Sequence, residues 1–280
     1  MAISFEALTG LLTIGTDGWN KGLRDAGTSL DQFRSRVNTA FNGVSRASQA
    51  LVSGVRTVGT VVTALGTASL AASKIMSKMG SDANEAADRF NHGLRSQADA
   101  ARKAIDAFAD KVGRSRFQLR GMVGDLSNTL KTMGLSEEAV KTMSVGLTKL
   151  SVDLGNFYDK SEEEVQSAFR TAIMGRVGAL RQFGIQLTEE QIKEEAYRSG
   201  LAKSAEEIDK NVRAQVIYSL ILKKTTELQG DAERNTNTLA NTQKRLWAVV
   251  NDTATTLGQV LVPMYQKAYA AAVAVVQPIA

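Results

Sequence analysis

The sequence contains no cysteine, a single histidine and only two prolines. Without cysteine, the chain has neither a disulfide framework nor a zinc–thiolate site. One histidine, His92, excludes paired-histidine metal sites and argues against a histidine-based catalytic triad. Because proline interrupts helices and helix-forming residues are abundant, we expect long, uninterrupted helices. The composition therefore predicts an all-α fold without a metal centre.

Glycine and basic residues are more frequent. The 23 glycines weaken isolated helices by about 1 kcal/mol each relative to alanine, so these helices need packing partners. The net charge is +5, and the densest basic cluster is Arg114, Arg116 and Arg120. Because the charge is spread and no long basic run occurs, we expect a solvated surface without a specific nucleic-acid site.

Residues 1–29 form the first predicted region. Phe5, Ala7, Leu12 and Ile14 alternate loosely before a glycine-containing turn, which indicates a short N-terminal strand or arm. A helix is expected to begin near Asp17, a good N-cap residue. The N-terminus has neither a basic segment nor an apolar segment typical of a secretory signal.

Residues 30–80 form the second region, a coiled-coil-like helix. Alternate steps of four and three residues from Leu30 to Met79 give larger apolar side chains at eleven of fifteen positions. This period of 3.5 predicts a left-handed coiled coil. The predicted self-association face consists of Leu30, Val37, Phe41, Val44, Leu51, Val55, Val58, Val62, Leu65, Met76 and Met79.

Small residues flank this face. They include Gly54, Gly59 and Gly66, and they permit close helix approach but supply little charge-based selection of a partner.

Two other interpretations of this stretch stay open. The stretch also fits an ordinary long helix packed on a core. Residues 57–73 carry no charge and also fit a short, polar membrane segment.

Residues 81–234 are predicted to form a helical domain. We expect helix breaks at glycines 113, 121, 124 and 134. Ser136 precedes two glutamates and marks a helix start. Three further starts fit the capping box, at Ser161–Glu164, Thr188–Gln191 and Ser204–Glu207.

Residues 235–280 form the last region, a long amphipathic helix that we expect to continue beyond residue 280. Six apolar residues fall on one narrow stripe at 100° per residue, so the helix needs a partner along its length. Pro263 is expected to kink the helix or to end its first segment. The packing stripe consists of Leu239, Leu246, Val250, Leu257, Leu261 and Met264.

Catalytic motifs are missing from the sequence. It contains no nucleophile elbow, no phosphate-binding P-loop and no dinucleotide fingerprint. The acidic run Glu162–Glu164 directly follows Ser161, where carboxylates favour a helix start. We therefore expect neither enzymatic activity nor a cofactor.

Several short motifs lie between Leu150 and Met264: Asp153-Leu154 with Phe157, Leu180-Arg181-Gln182-Phe183-Gly184-Ile185, Gln229-Gly230-Asp231, Thr238-Leu239-Ala240-Asn241 and Leu261-Val262-Pro263. Together they resemble the helical domain of phage tail tape measure proteins, and the strand-then-helix opening of the chain is also similar to that family. One departure is Gly175–Ala179, where the family often has an acidic, proline-containing turn.

The resemblance implies a structural scaffold inside the tail tube, which sets tail length during assembly and leaves ahead of DNA at infection. It implies that the chain is an N-terminal portion, present in a few copies as a helical bundle. The implied partners are other copies, the tail tube protein, tail assembly chaperones, tail tip or baseplate proteins and, on ejection, the host membrane. The implied locations are the virion tail lumen and, during assembly, the host cytoplasm.

Two rival functions stay open. The first rival is a membrane-active pore-former or translocator of a bacterial injection system. It is suggested by the uncharged residues 57–73 and by the apolar residues 268–280. A cell-wall hydrolase needs a carboxylate or Cys/His site, and the sequence offers no such arrangement. Leakage from liposomes favours the first rival, and clearing of peptidoglycan favours the second.

Overall fold

The computed structural model describes residues 67–276. The chain divides into two units, Met1–Ile75 and Met76–Ala280. All regular elements in the described part are helical, so the predicted all-α class is confirmed. The predicted arm and residues 30–66 lie outside the described residues.

Nine α-helices and two 3₁₀ segments make up the described part. The helices are α1 Thr67–Leu94, α2 Ala98–Val112, α3 Arg116–Lys131, α4 Glu137–Phe157, α5 Glu162–Ile173, α6 Glu189–Arg198, α7 Lys210–Lys224, α8 Asp231–Arg234 and α9 Leu239–Val276. The 3₁₀ segments are Arg95–Gln97 and Val177–Phe183.

Helix α4 lies at the centre of a bundle-like body. It contacts α2, α3, α5 and α8, while α7 packs on both α5 and α6. The core is made of fully buried aliphatic and aromatic side chains such as Leu126, Leu147, Leu154, Phe169 and Phe183. Burying this apolar surface is the main source of the body's stability.

Most helix starts follow the capping signals in the sequence. The Ser136 and Ser161 hydroxyls accept hydrogen bonds from backbone amides three residues later, and Thr188 forms a full capping box with Gln191. The box predicted at Ser204 is wrong. Helix α7 begins at Lys210 instead, because the Asp209 side chain accepts the hydrogen bond from the Val212 amide.

The glycines fall into two groups. Gly113 and Gly134 have positive φ angles of 63° and 78° and follow helix ends, as predicted. Gly121 and Gly124 lie inside α3, so the breaks predicted there are wrong. A Cβ atom at Gly124 would lie 3.0 Å from the Phe90 amide nitrogen. This glycine therefore lets α1 and α3 approach closely instead of ending a helix.

Helices α1 and α9 cross with their backbones in contact. A Cβ atom at Gly258 would overlap the Met76 carbonyl oxygen, and one at Gly80 would overlap the Gly258 carbonyl carbon. Only glycine fits such a crossing. Because α1 continues through Gly80 to Leu94, the domain boundary predicted at residue 80 falls inside a helix.

Helix α9 is the longest described element, with 38 residues. It begins at Leu239, just after the predicted start at residue 235, and it contacts α3 of the body. Pro263 lies within α9, which continues to Val276. The predicted end of a first segment at this proline is therefore not observed.

Candidate functional site

The predicted stripe on α9 changes in exposure along the helix. Leu239 and Leu246 are exposed, at 55% and 38% of their surface, whereas Leu261 is buried at 5%. Val250 and Leu257 are half-buried, and the Met264 side chain lies outside the described residues. The first half of α9 therefore presents apolar side chains to solvent, and the second half of the stripe turns towards the chain's own surface.

Only two residues of the predicted coiled-coil face have described side chains. Met76 is buried and its backbone contacts Gly258 of α9, while Met79 is half-buried. The end of that face therefore packs within its own chain. The other nine residues of the face, Leu30 to Leu65, lie outside the described residues.

A buried ion pair anchors the start of α9. The Arg114 guanidinium donates a 2.8 Å hydrogen bond to Glu162 at the start of α5, and their side chains are only 4% and 9% exposed. Arg114 also donates to the Asn241 side-chain oxygen at 2.9 Å and to the Val112 carbonyl at 3.1 Å. One cation thus joins the α2–α3 turn, α5 and the first turn of α9.

A second buried carboxylate holds the short helix α8. Asp153 on α4 accepts hydrogen bonds from the backbone amides of Gly230, at 2.9 Å, and Ala232, at 3.1 Å. Burial raises the pKa of Asp153, and these two amides oppose that shift. Neighbouring Asp231 accepts from the side-chain amides of Asn156 and Asn235. These contacts fix the chain just before α9.

Several residues that carry the family resemblance meet at this joint. Asp153, Gly230 and Asp231 belong to the α8 contacts, and Asn241 belongs to the ion-pair contacts. The other motif residues lie elsewhere. Leu180, Phe183 and Ile185 are buried in the core, and Phe157 is 55% exposed.

Beside the joint, α9 and the α2–α3 hairpin enclose an open cleft of about 650 Å³. All three arginines of the basic cluster noted in the sequence line it, and Arg245 of α9 is the fourth. Arg114 bonds Glu162, Arg116 bonds Asp110 and Arg120 bonds Asp106. The cluster therefore acts mainly through internal ion pairs.

The remaining acidic clusters are also held by neighbours. In the run after Ser161, Glu162 pairs with Arg114, Glu163 accepts from Gln118 and Glu164 pairs with Lys160. No group of three or more possible metal ligands occurs among residues 67–276.

Glu195 is the most strongly shifted carboxyl in the body. Burial opposes its ionisation, but hydrogen bonds from Lys223, Arg198 and Ser219 outweigh that effect and lower its pKa to about 2. Its side chain is 6% exposed. The arrangement ties α6 to α7 and keeps the Glu195 carboxylate ionised at neutral pH.

The sequence interpretation missed several exposed residues of α9. Trp247, Val249 and Val260 are exposed at 72%, 56% and 49%. They lie off the stripe predicted from the strongest apolar periodicity. A second heptad pattern, offset from that stripe and containing threonines, was the signal that could have identified Val249 and Val260.

In the part of the chain that the structure covers, no helix has both the length and the apolar character that crossing a bilayer requires. Comparisons with protein-family models, with curated proteins and with solved structures gave no match for this chain.

Proposed function

We propose that this chain acts as a phage tail tape measure protein. In this role it is a structural scaffold inside the tail tube, sets tail length during assembly and leaves ahead of DNA at infection. Its partners in the proposal are further copies, the tail tube protein, tail assembly chaperones and tail tip or baseplate proteins. The proposal places it in the tail lumen of the virion and, before that, in the host cytoplasm.

The observation that carries the proposal is the joint at the start of α9. Three of the motifs that resemble the family supply residues to it, although they are far apart in sequence: Asp153 lies 77 positions before Gly230. A chance resemblance has no reason to select residues that share one structural task. Here that task is to fix the point from which a 38-residue helix departs.

The chemistry of the described side chains supports a scaffold over an enzyme. The buried carboxylates Asp153, Glu162 and Glu195 are each bonded to donors from other elements of the same body. Such groups hold helices in place and are not free for general acid–base work. The exposed apolar residues of α9 favour contacts with other proteins.

Tail length measures the proposed function directly. In the phage that encodes this chain, deletion of residues 44–64 removes three heptads and keeps the register of the predicted coiled coil. At 1.5 Å per residue, tails should shorten by about 32 Å in electron micrographs. The control replaces the same residues with an unrelated helical segment of equal length, which should restore the original tail length.

The outcomes separate the candidates. Unchanged tail length after the deletion contradicts a ruler role for these residues. Leakage of liposomes by the purified chain, with normal tails in the deletion phage, supports the membrane-active alternative instead.

A further inference from the structure

Helix α9 carries an uncharged, exposed face with heptad spacing. Starting at Leu239, steps of three and four residues reach only exposed positions as far as Val260, and no charged residue occurs among them. We call this face the α9 seam. It consists of Leu239, Thr242, Leu246, Val249, Thr253, Thr256 and Val260.

The threonines of the seam are already satisfied within the helix. The Thr242, Thr253 and Thr256 hydroxyls donate to the backbone carbonyls four residues earlier, at 2.9, 2.7 and 2.8 Å. Because these donors have partners, burying the threonines leaves no hydroxyl proton unpaired. Their methyl groups can therefore pack as apolar surface, and the seam can be buried along its whole length.

Two opposite charges flank the seam on the same side. Arg245 directly precedes Leu246, and Asp252 directly precedes Thr253. The two charges therefore lie seven residues apart, which is about 10 Å along the helix. The Arg245 stem packs on Gly113, and Asp252 accepts from the Arg116 amide at 3.1 Å and from the Ser115 hydroxyl. Both residues line the open cleft together with Val249, Thr253 and Thr256 of the seam, so the two charges border the seam directly.

This pair of charges indicates which helix can pack on the seam and in which direction that helix runs. In a parallel pair of α9 helices, the residues opposite Arg245 and Asp252 are Val250 and Leu257, which offer neither charge any partner. In an antiparallel pair with Leu246 opposite Val249 of the second copy, Arg245 faces Asp252 of that copy, and the contact occurs twice. The charge pattern of α9 is thus complementary to itself only in the antiparallel direction.

We infer that two copies of this chain pair through their α9 seams in an antiparallel, two-fold symmetric dimer. The two ends of such a dimer are identical, whereas a ruler inside a tail tube needs two different ends. The dimer therefore belongs to the soluble chain before assembly, a setting that rests on the proposed function. The pairing itself rests on the seam and its flanking charges.

Solution mass tests whether the seam pairs at all. Val249→Asp places a charge at the centre of the seam. It should lower the solution mass of the full chain, whose monomer is 30.0 kDa, in analytical ultracentrifugation, because the α9 pair separates. Trp247→Asp is the matched control, because Trp247 is more exposed than Val249 but lies off the seam. Equal masses for Val249→Asp and the parent chain contradict the inference, as does dissociation by Trp247→Asp alone.

Disulfide trapping tests the direction, and the parent chain contributes no cysteine of its own. When the Leu239→Cys and Thr256→Cys chains are mixed and oxidised, a mixed disulfide dimer should form, because these positions oppose each other in the antiparallel pair. Leu239→Cys alone should give little dimer. Efficient Leu239–Leu239 cross-linking shows a parallel pair and contradicts the inference, as does the lack of any cross-link.

These results are independent of tail length. If the chains cross-link as expected but the deletion leaves tail length unchanged, the dimer is supported and the proposed function is contradicted. If tails shorten as expected but the α9 cysteines form no cross-link, the proposed function is supported and the dimer is contradicted.

Discussion

Helices α4 and α9 are both long, but they are held by different forces. Twelve residues of α4 are buried, and they include large aliphatic side chains such as Leu147, Leu150 and Leu154. The buried residues of α9, among those with described side chains, are Asn241, Ala248, Ala254, Thr255, Gly258 and Leu261. Only Leu261 is a large aliphatic residue, and none of the six belongs to the main core cluster of the described body.

The difference shows that α9 is attached to a body that is already complete. Apolar burial stabilises the body around α4, at roughly 25 cal/mol per Å². The contacts of α9 are hydrogen bonds at its base, hydrogen bonds of Asn251 and Asp252 with the start of α3, and a close backbone crossing at Gly258. Such contacts contribute less and depend on shape. A helix held in this way can leave the body by local opening, without global unfolding.

The largest expected effect comes from truncating the core. Phe169 on α5 is fully buried, so Phe169→Ala should lower the free energy of unfolding by about 3–5 kcal/mol through lost burial and a cavity. Leu246→Ala on the exposed face of α9 should change it by no more than about 0.5 kcal/mol. Both are measured by urea denaturation of the Val249→Asp chain, so that pairing through the α9 seam does not contribute. Comparable losses in the two variants would remove the distinction between body and α9.

The buried ion pair between Arg114 and Glu162 supports the base of α9, because Arg114 also donates to Asn241. Arg114→Met leaves the Glu162 carboxylate buried without its cation and should destabilise the fold by about 3–5 kcal/mol. The control is Arg116→Met, which breaks the Arg116–Asp110 pair, whose side chains are 51% and 59% exposed. It should cost no more than about 1 kcal/mol in the same urea experiment. If the two arginines prove equivalent, the joint does not anchor α9.

The crossing of α1 and α9 gives a smaller, local effect. In Gly258→Ala the new methyl group overlaps the Met76 backbone, which should separate the helices there at a cost of about 1–3 kcal/mol. Gly178→Ala is the control, because a Cβ atom there meets nothing within 4 Å. Hydrogen exchange should become faster in residues 250–262 of the Gly258→Ala chain and stay unchanged in α4. Unchanged exchange at the crossing would show that the helices tolerate the methyl group.

A last expected effect is a pH dependence confined to the body. Because the folded pKa of Glu195 is about 2, below its usual value of 4.5, its contacts stabilise the fold above about pH 4.5. That contribution is lost as the pH falls from 4.5 towards 2. Glu195→Gln should therefore flatten the fall in unfolding free energy between pH 5 and pH 2, measured by urea titrations across that range. An unchanged slope would show that Glu195 is not responsible.

Local signals predicted much of the body. The serines and threonine that begin α4, α5 and α6 are read directly from the sequence, because a cap involves residues only three positions apart. Gly124 and Gly258 were harder to interpret. A glycine that permits a close crossing has the same sequence signature as one that ends a helix, and only the partner helix distinguishes them.

The candidate site was only partly predictable for a similar reason. The apolar stripe of α9 was visible in the sequence, but which part of it the chain covers depends on how α9 meets the body. The contact between Arg114 and Asn241 spans 127 positions, and the contact between Asp153 and Gly230 spans 77. Neither pair leaves a periodic signal. The α9 seam was missed because its threonines look polar until their intrahelical hydrogen bonds are known.

Hydrogen exchange of the Val249→Asp chain, in which the α9 seams should not pair, tests most directly whether α9 is a separately attached helix. The amides of residues 243–260 should exchange through an opening with a lower free energy than that of the α4 amides, residues 140–154. The α4 amides should exchange only with global unfolding. Equal protection of the two helices at the global level would contradict the account, because α9 would then be part of the core.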